Sequence, residues 1–174
     1  MIPPPPRVSA AVAGTSARFP IRRIFCVALN YADHAREMGK EATRDEPFFF
    51  TKPADALVPD GATIPYPSQT ADLHHEIELV VAIGTGGRHI AEADAWSHVA
   101  GITLGQDISD RAVQLTGKPP QFSLGKSFDT YGPMGPVMVS VDSFANPDDI
   151  GLWCDVSGER MQEARSRDLI FDIP

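Results

Sequence analysis

The sequence predicts an α+β protein, mostly β. Apolar runs of strand length recur along the 174 residues, and they outnumber the helical periodicities. Fourteen glycines and sixteen prolines punctuate those runs. Length permits one domain with a substantial core, since a chain near this size buries about 70% of its unfolded surface.

Taken in order, residues 1–17 are rich in Pro, Ala and Ser and read as a flexible arm ahead of a domain over 18–174. Arg22–Ala28 is an apolar strand. Asn30 is placed to cap a short helix, and Gly39 to end it. Phe48–Pro53 is a strand closed by Lys-Pro, and Ala62–Pro65 has the look of an edge strand. Leu79–Ile83 reads as a buried strand ending at Gly84. Ala91–His98 suggests a short helix, Val99–Asp107 a strand, and Asp110–Leu115 a helical turn. Residues 116–125, with Gly, Lys and two prolines, suggest a mobile loop. Val137–Val141 is a strand. Leu152–Val156, a Ser157-Gly158 turn and Arg160–Glu163 make a hairpin.

A net charge of −8 with no long basic run argues against nucleic acid and anionic membrane surfaces as partners. Small anionic substrates stay open, because a cation and a few local Lys or Arg reverse the field inside a pocket. Cys26 and Cys154 sit in apolar stretches and read as core thiols of a reducing compartment. No run reaches membrane-spanning length, and the N-terminus lacks a signal-peptide pattern. A cytoplasmic protein is the expectation.

Chemistry concentrates at Asp-Leu-His-His-Glu-Ile-Glu-Leu-Val-Val, residues 72–81. Period-two alternation puts Glu76 and Glu78 on one face, with Cα atoms about 6.6 Å apart. Two carboxylate arms across that gap can meet on one small cation; a solvated strand edge is the alternative. Asp107, at the end of the 99–105 run, supplies a third acid. Three carboxylates suit Mg²⁺ or Mn²⁺, whereas no His/Cys cluster has zinc spacing. His74 shares parity with the glutamates, but a surface or supporting role suits it better than that of a fourth ligand. His34 and Glu37 share one face of the short helix, as a base and its orienting carboxylate would. Lys126 after the Gly-Pro loop suits oxyanion stabilisation, Lys52 a substrate carboxylate, and Arg111 a bidentate clamp. Each of these, taken singly, is also an ordinary surface charge.

Their order is more specific than any one of them. Asn30-Tyr31-x-x-His34-x-x-Glu37, Phe50-x-Lys52-Pro53, His75-Glu76-x-Glu78-Leu79, Asp107-x-x-x-Arg111 and Lys126-Ser127-Phe128 together resemble the fumarylacetoacetate hydrolase family. The resemblance covers residues 19–174. Phe19–Pro59 looks most like the fumarylpyruvate hydrolase and acylpyruvase branch. It implies a mixed β-roll or barrel-like fold, a homodimer, and Mg²⁺ or Mn²⁺ held by Glu76, Glu78 and Asp107. It further implies His34 and Glu37 as the water-activating pair, Lys126 near the metal, and Lys52, Arg111 and Gln114 toward a small anionic 2-oxo acid. The implied reaction is hydrolysis of the C–C bond of an acylpyruvate, such as fumarylpyruvate in aromatic degradation. Oxaloacetate decarboxylation and 2-oxo-dienoate isomerisation are the alternatives within the family.

Two departures stand out. Ala28-Leu29 replaces the family's Gly-Arg. The chain also ends at Pro174, where relatives continue through a helix and strands with a Gly-Asp-x-Ile-x-x-Gly-Thr-Pro segment. That leaves the barrel incomplete and allows a third reading, an inactive remnant that binds metal or a partner chain.

Overall fold

The computed structural model describes residues 7–37, 39 and 46–174. Where composition suggests an arm, residues 9–20 form a hairpin. β1 (Ser9–Ala11) pairs antiparallel with β2 (Arg18–Pro20). Val12 bridges Met138, and the Ala13 N–H donates to the Met138 carbonyl at 2.9 Å. Small side chains along 9–13 let this segment lie close against its neighbour, and pairing satisfies backbone groups that an extended arm would leave to water.

β3 (Ile24–Ala28) and β4 (Phe48–Lys52) pair antiparallel, with Cys26 opposite Phe50 and Val27 opposite Phe49. Alternation sends Phe50 and Lys52 inward and leaves Phe25, Val27 and Phe49 exposed. After β3, Leu29 turns the chain at φ 57°. Helix α1 (Ala32–Glu37) follows, and Gly39 ends it at φ 70°, its N–H donating to the Arg36 carbonyl at 2.9 Å.

The site is organised by a four-stranded sheet. Its strands are β5 (Leu57–Pro59), β7 (Ile77–Ile83), β8 (Val99–Gln106) and β10 (Gly132–Ser140), in the order β5-β10-β8-β7. A short pair, β6 (Leu73–His74) with β9 (Ser109–Asp110), flanks it. The edge strand expected over 62–65 lies earlier, at β5, which runs parallel to β10 with Leu57 opposite Gly132. Pro65 removes a ladder donor from the predicted segment, which joins no strand pair. β8 is central and carries buried Val99, Ile102 and Thr103. β7, read from its apolar run as buried, is an edge strand in which only Ala82 is fully buried.

Residues 92–98 form a 3₁₀ segment. α2 (Arg111–Gln114) is capped by Asp110, whose carboxylate accepts from the Val113 N–H at 3.1 Å. The stretch predicted as a loop contains α3 (Phe122–Gly125). Phe122 draws it into the core, edge-on to Phe48 and Phe50. β11 (Gly151–Val156) and β12 (Glu159–Arg165) form the expected hairpin. Its two-residue loop, Ser157 at φ 53° and Gly158 at φ 86°, matches the right-handed twist of the strands. Gln162 on β12 accepts from the Ile77 N–H at 2.9 Å, tying the hairpin to the start of β7. The fold is thus α+β, mostly β, with a mixed open sheet and no closed barrel among the described residues.

Candidate active site

Three acids converge because β7 and β8 bring their ends together. The pair Ile77–Gln106 closes the ladder, and the Asp107 N–H donates to the Glu76 carbonyl at 2.8 Å just beyond it. Glu76 and Asp107 therefore face each other, and Glu78 follows on the same side of β7. Oxygens of Glu76, Glu78 and Asp107 all lie within 4.8 Å of one another, with Glu76 and Asp107 buried.

Buried cations surround the acids. The Lys126 ammonium donates at 2.7 Å each to Glu76 Oε2, Asp107 Oδ2 and Ser109 Oγ. Lys52 donates to Asp107 Oδ1 at 2.6 Å, to the Ile108 carbonyl at 3.3 Å and to the Lys126 carbonyl. Arg111 bonds Glu76 Oε1 and donates to Gln114 Oε1 at 2.6 Å. Lys52 and Arg111, expected on the substrate side, are buried against Asp107 and Glu76 here, and Gln114, only 1% exposed, accepts from Arg111.

These contacts set the protonation energetics. Burial alone would raise the Glu76 carboxyl, but the Lys126 and Arg111 charges and hydrogen bonds outweigh it and hold the pKa below the usual range. Among the described residues no cation is hydrogen-bonded to Glu78, and the Lys126 and Lys52 charges lower it only in part. Burial, then the Glu76 and Asp107 charges, push it up to about 8. Burial also lowers Lys52, against the pull of Asp107. Cys26, whose strand faces the same cluster, is pushed up to about 12, mostly by burial and then by Asp107.

His34 projects from α1 toward this centre, Nε2 lying 3.8 Å from Glu76 Oε1 with the side chain about one-third exposed. Glu37 ends the same helix; the disposition of its side chain lies outside the described residues. His74 is not part of the cluster. It is half exposed and sits 3.0 Å from Asp72. Asn30 does not cap α1; its side chain instead binds the backbone of Phe171.

Sequence reasoning missed Ser109. It is fully buried, accepts from Lys126 and donates to the Asp107 carbonyl at 2.9 Å. Its position between Asp107 and Arg111 was the available signal. Tyr31 was also passed over, although it adjoins Asn30 in the motif. Its hydroxyl is buried without a hydrogen-bond partner, and burial, then Glu78 and Asp168, push it up to about 12.

The donor set is all oxygen. A divalent cation among the acids would offset the like charge that raises Glu78, so the residues fit Mg²⁺ or Mn²⁺.

Residues 23–174 match the family described as Fumarylacetoacetate (FAA) hydrolase C-terminal. Among solved structures, the chain resembles fumarylpyruvate hydrolase from Pseudomonas aeruginosa, crystallised with Mn²⁺ and pyruvate. The TM-score is 0.91 at 40% identity, covering 99% of this chain and 76% of that one. A 5-carboxymethyl-2-hydroxymuconate delta-isomerase from Mycobacterium smegmatis gives a TM-score of 0.77 at 32% identity, covering 96% of this chain and 61% of that one. Among curated proteins, the mitochondrial oxaloacetate tautomerase FAHD2B of Bos taurus is 40% identical over 149 residues, which is 86% of this chain and 47% of the relative. The human mitochondrial oxaloacetate tautomerase FAHD2A is 38% identical over the same shares. The chain spans about half the length of the curated relatives it matches.

Proposed function

The chain belongs to the fumarylacetoacetate hydrolase family, and from that premise we propose that it is a metal-dependent hydrolase of the C–C bond of acylpyruvates, with fumarylpyruvate, from aromatic degradation, as the leading substrate. One observation carries the reading: a partly exposed imidazole, His34, stands 3.8 Å from Glu76, a buried acid of the triad. It supports His34 as a proton acceptor beside the cation site, as activation of water requires. The fumarylpyruvate hydrolase of Pseudomonas aeruginosa supports the substrate class.

Mg²⁺ or Mn²⁺ held by Glu76, Glu78 and Asp107 would supply positive charge that polarises the 2-oxo acid. His34 takes the proton of a water, whose oxygen attacks the distal carbonyl. Glu37 is assigned to orienting His34. Lys126 offsets the charge that develops on the oxyanion. The bond between that carbonyl carbon and the methylene carbon then breaks, its electron pair passing into the enolate of pyruvate. The proton on His34 returns to the methylene carbon. Lys52 and Arg111 hold the acids, Gln114 accepts from Arg111, and the three are assigned to the anion-binding side. The working form is proposed to be a cytoplasmic homodimer.

A second reading is keto–enol isomerisation of oxaloacetate, favoured by the tautomerases among the curated relatives. It needs a proton shuttle such as His34 but no water.

The test is loss of ultraviolet absorbance of fumarylpyruvate by the purified chain, with Mn²⁺ and with chelator, coupled to pyruvate detection. Metal-dependent loss with pyruvate formed supports the hydrolase. Absence of loss alongside accelerated oxaloacetate enol decay selects the tautomerase. A folded sample inert toward both points to a metal-binding remnant or to a different substrate.

A further inference from the structure

We infer that Asn30 is a positioning residue that docks the base of α1, and with it His34, onto the distant segment 169–171. The inference rests on the proposed role of His34. The Asn30 side chain makes a reciprocal pair with the backbone of Phe171: Nδ2 donates to the Phe171 carbonyl at 2.9 Å, and Oδ1 accepts from the Phe171 N–H at 2.8 Å. The Asn30 carbonyl accepts from the Ile170 N–H at 2.8 Å, and Tyr31 bridges Leu169. A carboxamide has one acceptor and one donor on the same edge, the same arrangement as the N–H and C=O of a single extended residue. Asn30 therefore extends a strand-like pairing by one residue, using its side chain as a surrogate backbone.

The docking surface is itself held firmly. Ser166, buried just upstream, donates its N–H to the Ile150 carbonyl at 2.9 Å. Its hydroxyl accepts from the Ile150 N–H at 2.7 Å and donates to the Asp148 carbonyl at 2.9 Å. The Leu169 N–H donates to the Ser166 carbonyl at 3.2 Å. On the other side of Asn30, Leu29 adopts φ 57°, so the ladder of β3 does not continue into α1. The helix is only six residues long, too short to hold its own conformation without tertiary contacts. His34 lies one turn above Asn30, so a small rotation at the base carries the imidazole away from Glu76.

The experiment compares N30A and N30D in the 174-residue chain, with H34A as the reference and N30A/H34A as the closing corner. Amide hydrogen exchange is read on the metal-free proteins, Mn²⁺ affinity by calorimetry, and turnover on fumarylpyruvate and oxaloacetate. N30A is expected to speed exchange across residues 31–37 on the order of tenfold while β7 and β8 are unchanged. Mn²⁺ affinity is expected to hold. kcat should fall on the order of 10²-fold, with a smaller change in KM, and the loss should vanish in the H34A background. N30D keeps the acceptor but not the donor, and should fall between parent and N30A. Unchanged exchange over 31–37 overturns the docking. A turnover loss that multiplies with H34A also overturns it, since Asn30 would then act independently of His34. Should N30A prove unfolded, N30D carries the same two readouts. Turnover that survives in H34A rejects His34 as the base, a failure of the proposed function that the exchange result does not share.

Discussion

Glu78 is where the site's charges are least balanced. It lies beside Glu76 and Asp107, while the nearby cations bond those two acids instead. Glu78→Gln should therefore lower Mn²⁺ affinity by more than about 100-fold, beyond what loss of a ligand's orienting partner costs. It should leave the metal-free melting temperature unchanged near neutral pH, where a group raised to about 8 is mostly protonated, and raise it above pH 8, where a neutral isostere removes a like charge. Calorimetry and thermal melts read the two effects; a parallel fall in both would mean that Glu78 supports the fold instead of the cation. Cys26 gives a second outcome at this scale. With its thiol pushed up to about 12, almost none is thiolate at pH 8, so iodoacetamide should label it in the native chain only after denaturation. Peptide mass spectrometry checks this. That the acids, His34 and Lys126 come together was legible in the sequence, because their order along the chain matches the family's motifs. Ser109 and the true partner of Asn30 were not. The bond from Asn30 to Phe171 spans 141 positions, and no local pattern announces a contact of that reach.

At the level of elements, the junction of α2 and α3 controls the cations. A Cβ at Gly125 would stand 2.4 Å from the Gln114 backbone nitrogen, a clash no rotamer can relieve. Gly125→Ala should separate the two helices and displace Gln114 and Arg111 on one side and Lys126 on the other. A loss of about 1–3 kcal/mol, the usual range for overpacking, is expected, with weakened Mn²⁺ binding. Chemical denaturation read alongside calorimetry tests it; a stable variant with parental affinity would show that the junction yields freely. β8, α2 and the β11–β12 hairpin were readable because apolar length, an Asp cap and a turn pair are local signals. The 9–20 hairpin, β5 and α3 were not, because each exists through a partner elsewhere: Met138, Gly132 and the Phe48–Phe50 pair. The same reason explains β7, whose run of apolar residues suits a buried strand but which lies at the sheet's edge.

On the scale of the molecule, apolar side chains remain at the surface on two sheets: Phe25, Val27 and Phe49 on β3–β4, and Trp153, Val156 and Met161 on β11–β12. Charge supports the loops near the second hairpin. Asp149 binds Arg165 at 2.5 Å and Arg167 at 3.1 Å. The Arg165 hydrogen bond, with the charges of both arginines, holds its pKa below the usual carboxylate value. A depressed folded pKa contributes stability above the unfolded value of about 3.9, and that contribution is lost as pH falls through the folded value. Melting curves of the parent and Asp149→Asn should therefore differ at pH 7 in low salt, converge under strong acid, and approach each other in high salt. A gap that persists in acid would assign the effect to packing. The separation between Asn30 and Phe171 also bears on the order in which a growing chain matures. All three acids and Lys126 are synthesised before residue 127, whereas the support beneath His34 arrives only with residues 169–171. During synthesis from the N-terminus, the residues of the acidic cluster therefore emerge well before the segment on which Asn30 docks.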